Sequence, residues 1–216
     1  MAGDDVSLYL VRHGQTEGNL RNLFIGATDI PLDDMGIRQA SLLAERFRDI
    51  HLDAVVSSPL IRAVRTADVV AEVCGLAVEV HPGLAEVDFG DAEGLTIDEV
   101  RERFSELYRL HAEPQSGGVH WPGGESRRAF CQRVVASVGE ICESHRGRDV
   151  AVVCHGGVIG AFLSHVDGGL VNDWRKYSVH NCSITHVVMT GVSASIVCRD
   201  DYAHLVDVQR DLFALE

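Results

Sequence analysis

The sequence predicts an α/β protein of three layers, α/β/α, with a mostly parallel, mixed central sheet of about six strands and a short lid insertion. Three observations carry this. Short apolar runs alternate with helical patterns along most of the chain, the signature of a sheet covered on both faces. The run "DVAVVC" at 149–154 is almost continuously apolar, as a strand in the middle of a parallel sheet must be. Two late strand-like runs, 183–190 and 195–198, flank the turn "TGVSAS" and read as a pair.

The elements follow in order. Residues 7–11 form a first strand. Residues 35–47 carry Ile37, Ala40, Leu43, Ala44 and Phe47 at helical spacing. "DAVVS", 53–57, is a second strand, and Pro59 opens a helix, because proline is tolerated at a first helical position. That helix presents Leu60, Ala63, Val64, Ala67, Val70 and Ala71 on one face and ends near Gly75. A short third strand at 77–80 precedes helices at 96–111 and 125–144. The latter buries Phe130, Val134, Ser137, Val138 and Ile141. A helix at 157–165 follows "DVAVVC".

The 216 residues suit a single domain, 1–216, with a lid segment near 96–124. A net charge of −13 argues against non-specific binding to nucleic acid or anionic membranes, though a locally basic pocket is compatible with it. No apolar run approaches the roughly 20 residues of a membrane helix, and the acidic N-terminus lacks an apolar secretion signal. The six cysteines form no C-x-x-C pair, so reduced thiols and a cytoplasmic location are expected. Nothing sets the oligomeric state or the role of the C-terminal "DVQRDLFALE"; a homodimer is left open.

In parallel α/β sheets, sites form beyond the carboxyl ends of the strands. The first strand ends at Arg12-His13-Gly14, and the second places Arg62 in the next helix. The third precedes a loop with Glu86, and "DVAVVC" ends at His155-Gly156-Gly157. Two arginines, two histidines and a carboxylate then meet at one rim. Guanidiniums and helix N-termini bind phosphate, a neutral imidazole can attack phosphorus, and a carboxylic acid can protonate a departing alkoxide. No acidic cluster points to a metal. Each residue alone is as well explained as a loop, core or surface residue; their shared position is what carries weight.

"LVRHGQTEGN" resembles the signature of the histidine phosphatase superfamily, which includes the cofactor-dependent phosphoglycerate mutases. The likeness continues through "FIGATDIPLDDMGIRQA", "SSPLIRAVRTA", "LAEVDFGDAEGLT", "PGGES", "VVCHGGVI" and "NCSIT". The resemblance implies that His13 is the phosphorylated nucleophile. Arg12, Arg62 and His155 would hold the phosphoryl group, and Glu86 would be the general acid, then base. Thr16, Asn19, Gly156, Asn181 and Gln15 are implied as substrate contacts, with no metal or other cofactor.

Mutases of the family resemble E-R-x-Y-G at the acid loop and H-G-N after the late histidine. Here the loop reads Glu86-Val87-Asp88-Phe89-Gly90, and the late motif is His155-Gly156-Gly157. Those departures favour a metal-independent phosphomonoesterase acting on a small phosphorylated metabolite. Phosphoglycerate mutase is the alternative; a catalytically silent phosphate-binding module and a histidine-based metal protein fit less well. In the lid, Arg101 and Arg103 read best as solvated, and His120 and Trp121 as better lid candidates than they are.

Overall fold

The computed structural model describes residues 4–112, 119–168 and 176–206, so the C-terminal decapeptide lies outside the described residues. Six strands form its centre: β1 (Val6–Arg12), β2 (Ala54–Ser57), β3 (Val78–Val80), β4 (Asp149–Cys154), β5 (Ile184–Thr190) and β6 (Ser193–Asp201). They lie in the order β3-β2-β4-β1-β5-β6. The first four in that order are parallel, and the β5–β6 hairpin runs antiparallel beside β1. The α/β fold with a mixed six-stranded sheet is therefore as the sequence predicts.

Side chains on successive strand residues point to opposite faces, and both faces are covered. Leu8, Leu10, Val56, Val150 and Val152 pack with α6 (Arg127–Ser144) and α7 (Gly156–Val166). Val11, Val55, Ala151 and Val153 pack with α2 (Asp34–Phe47) and α3 (Ile61–Cys74). That double burial explains why "DVAVVC" lacks alternation.

Several boundaries differ from expectation. Helix α3 begins two residues after Pro59, which stays exposed. Leu60 is extended and offers no side-chain cap; instead Asp29 Oδ1 accepts the Ile61 N–H at 2.7 Å from a distant loop. Helix α2 is rotated so that Ile37 is 54% exposed, while Gln39 turns inward and accepts the Gln15 N–H at 2.9 Å. The single helix expected over 96–111 breaks at Phe104 (φ −129°, ψ 41°) into α4 (Ile97–Arg103) and α5 (Ser105–Ala112). Phe104 packs edge-on against Trp121 there, at 6.2 Å. With Val100, Val119 and Ala92 they form a third small core above the sheet's carboxyl edge. Among the described residues, no helix is long and apolar enough to cross a membrane.

Candidate active site

The register aligns the motif-bearing strand ends. Arg12 on β1 lies opposite Cys154 on β4, and Ser57 on β2 opposite Val153. Because β4 lies between β1 and β2, His155 follows the central strand, with His13 and Ser58 on its two sides. The His13 and His155 rings lie 5.1 Å apart.

His13 is held from both ends. Its Nδ1 meets the Gly14 carbonyl at 2.7 Å, so Nδ1 carries the proton and Nε2 the lone pair. Nε2 accepts the Arg62 Nε–H at 3.3 Å. Burial, then Arg62 and Arg12, hold His13 well below the ordinary imidazole value, so it is neutral at neutral pH. Gly14 is needed for a close approach rather than for a special turn: a Cβ there would lie 2.5 Å from the Gly36 carbonyl oxygen. Thr66 Oγ1 accepts the Gly14 N–H at 3.1 Å.

Arg62 is almost wholly buried and donates to the carbonyls of Thr28 (2.8 Å) and Gly26 (2.6 Å). That loop is anchored by Glu93, which accepts N–H bonds from Gly26, Ala27, Thr28 and Phe89. Arg12 donates to the Val179 carbonyl at 2.7 Å. His155 Nε2 meets the Ser58 hydroxyl at 2.6 Å. Burial, then His13 and the arginines, also push His155 well below its usual range. Two polar atoms of this group, Arg12 Nε and His155 Nδ1, are buried without a protein partner. Such atoms are costly to leave unpaired. An oxyanion seated beside His13 fits them.

Glu86 projects from the loop after β3. Its Oε2 accepts the Gly157 N–H at 2.8 Å and its Oε1 the Val87 N–H at 3.0 Å. Burial raises its pKa above the ordinary carboxyl value, against the pull of those N–H groups and of Arg62 and Arg12. Gly157 makes room for it: a Cβ there would lie 2.4 Å from Glu86 Oε1. Arg133 braces the loop from α6, reaching the carbonyls of Gly83 and Ala85 and pairing with Glu125 at 2.6 Å.

A cleft of about 540 Å³ opens above this group; Arg12, His13, Gln15, Asn19, Glu86, Gly156 and Asn181 face it. Arg62 and His155 are not in its lining but one layer beneath. Thr16 is not in the lining either. It is fully buried, and its hydroxyl caps α1 (Glu17–Leu20), accepting the Asn19 N–H at 3.3 Å. Asn181 donates to the His13 carbonyl at 2.9 Å, and Gln15 to Asp33 at 3.1 Å.

Of the two lid candidates, Trp121 is buried in the third core, whereas His120 turns to solvent. Arg101 and Arg109 pair with Asp98 and Glu106 on the exposed side. Sequence reasoning missed Ser58, Thr66, Glu93 and Arg133, and the cleft walls Phe24 and Tyr108. Ser58 and Thr66 do lie inside "SSPLIRAVRTA" and Glu93 inside "LAEVDFGDAEGLT", so their neighbourhood was a signal. Among the described residues, His51, Asp53 and Asp149 alone group at metal-ligand separations, at the opposite end of the strands, where Asp53 accepts the Asp149 N–H.

This is a doubly covered α/β sheet with its polar constellation at the carboxyl ends of adjacent strands. The chain belongs to the histidine phosphatase superfamily (branch 1), whose family model matches residues 8–201. Over 182 residues, 84% of this chain and 84% of that protein, it is 34% identical to "Probable phosphoglycerate mutase GpmB" of Yersinia pestis (strain Pestoides F). It superposes on Bacillus stearothermophilus YhfR with a TM-score of 0.87, at 26% identity, covering 93% of this chain and 99% of that one. A mycobacterial glucosyl-3-phosphoglycerate phosphatase gives a TM-score of 0.80 at 27% identity, covering 91% and 99%.

Proposed function

We propose that the protein is a metal-independent phosphomonoesterase that works through a phosphohistidine. The observation carrying this is the seating of the His13 ring: Nδ1 lies 2.7 Å from the Gly14 carbonyl and Nε2 accepts the Arg62 Nε–H at 3.3 Å, which sets Nε2 as the nitrogen with the lone pair. Nε2 attacks phosphorus and the bond to the ester oxygen breaks. Glu86, whose burial favours the protonated carboxyl, gives its proton to the departing alkoxide. The resulting carboxylate then takes a proton from water, whose oxygen attacks the phosphohistidine and releases phosphate. Arg12 and Arg62 neutralise the equatorial oxygens, and the uncharged His155 ring offers a hydrogen bond.

The likeness to a protein named as a mutase favours a second reading, phosphoryl return to a phosphoglycerate. Two features weigh against it. Val87 and Phe89 stand where mutases offer arginine and tyrosine, and Gly157 leaves its space to Glu86. Assaying with 3-phosphoglycerate primed by 2,3-bisphosphoglycerate separates the two. The proposal expects no efficient conversion to 2-phosphoglycerate, any turnover releasing inorganic phosphate; efficient 2-phosphoglycerate formation without phosphate release would overturn it.

A further inference from the structure

A second space adjoins the cleft at Glu86. Beyond that carboxylate lies a small chamber of about 80 Å³, and the two spaces share Glu86, Phe89, His111 and Gly157 as walls. The chamber's deeper walls are mostly apolar, with Trp121 and Phe130 the largest. The rings at the junction are already assembled. Phe89 stands edge-on to Phe24 at 5.0 Å, to Trp121 at 5.6 Å and to His111 at 6.0 Å. Arg127, also on the chamber wall, reaches α5: its Nη2 lies 2.6 Å from His111 Nδ1 and 3.0 Å from the His111 carbonyl.

A general acid must lie within hydrogen-bond reach of the oxygen it protonates. The leaving alcohol therefore begins at Glu86, and its carbon frame runs along these rings. Against Phe24 and Phe89, and before Trp121 and Phe130, an apolar group gains burial and aromatic contact. Resting on the phosphomonoesterase reading, we propose that the substrates are phosphomonoesters whose alcohol carries a compact apolar group. That group sits between Phe24, Phe89 and His111 and reaches the chamber before Trp121 and Phe130.

Simple aryl phosphates would mislead, because phenols leave easily from any active site. 2-Phenylethyl phosphate and glycerol 1-phosphate both release primary alkoxides, so their comparison reads the pocket. The expected kcat/KM is roughly 30-fold or more in favour of the phenylethyl ester, within the range that an apolar pocket discriminates. Cys131 lines the chamber, and Cys131→Phe should fill it and cut that preference about tenfold. Should that variant not fold, Phe89→Leu, which removes a ring at the junction, should lower the same ratio. Equal constants, or a preference for glycerol 1-phosphate or phosphoserine, would overturn the substrate class and leave the phosphatase reading standing. No phosphate from any ester, with no phosphorylated enzyme, would overturn both.

Discussion

Arg62 donates its Nε–H to Nε2 of His13 across 3.3 Å, while the Gly14 carbonyl holds Nδ1 on the other side of the ring at 2.7 Å. The arginine thus marks the nitrogen that keeps its lone pair, and its charge opposes protonation of that nitrogen. An incoming phosphoryl oxygen would take the arginine's attention and uncover Nε2 at the same moment.

The pH dependence follows. His13 must be neutral to attack, and its pKa is held below the ordinary 6.5. Glu86 must be protonated to assist the leaving group, and its pKa is raised above the ordinary 4.5. The kcat/KM profile should be a bell, with its acid limb below 6.5 and its alkaline limb above 4.5. Glu86→Gln should cost about 10²–10⁴-fold in turnover and abolish the alkaline limb. An acid limb above the ordinary imidazole value would contradict the placement of His13 beside two arginines.

Glu93 acts one step further out. Its carboxylate gathers the N–H groups of residues 26–28, and the carbonyls of Gly26 and Thr28 in turn hold the Arg62 guanidinium. Glu93→Gln keeps the size but weakens the charge-assisted bonds. It should lower kcat/KM about 10- to 100-fold. The acid limb should also move to higher pH, because an unmoored Arg62 no longer disfavours protonated His13. A lower melting temperature with an unmoved pH profile would mean that Glu93 only braces the loop.

Gly157 tests the acid's position. A methyl group there would meet Glu86 Oε1 at 2.4 Å, so Gly157→Ala must displace the carboxylate. Turnover should fall about 10²-fold while KM changes little, since the phosphate end of the site is untouched. Steady-state kinetics separate these; a rise in KM alone would place Gly157 in substrate binding rather than behind the acid.

Much of this was legible in the sequence, and the reasons are physical. β2 and β4, buried on both faces, write continuous apolar runs, and β1 shows its buried face through Val6, Leu8 and Leu10, so all three could be read directly, and the rule for strand ends then located Arg12, His13 and His155. What escaped reading was set by contacts across the chain. Asp29 caps α3 from a loop more than thirty residues earlier, which no local pattern around Pro59 records. Thr16 looks like a substrate hydroxyl in the motif, but its own helix uses it as a cap. The break at Phe104 has neither glycine nor proline to mark it; it falls where Phe104 packs against Trp121, far along the chain. The apolar walls at Phe24 and Phe89 carry no signal beyond hydrophobicity until the fold brings them together.

The central claim is that His13 carries the phosphoryl group, and trapping that intermediate tests it most directly. Wild-type protein mixed with a phosphomonoester and quenched in alkali within one turnover should hold one phosphoryl group on Nε2 of His13. The adduct should be acid-labile and base-stable, read by phosphorus NMR and peptide mass spectrometry. His13→Ala should fold, judged by circular dichroism, and carry none. A wild-type enzyme that hydrolyses the ester without such an adduct, or a His13→Ala variant with near wild-type turnover, would contradict it.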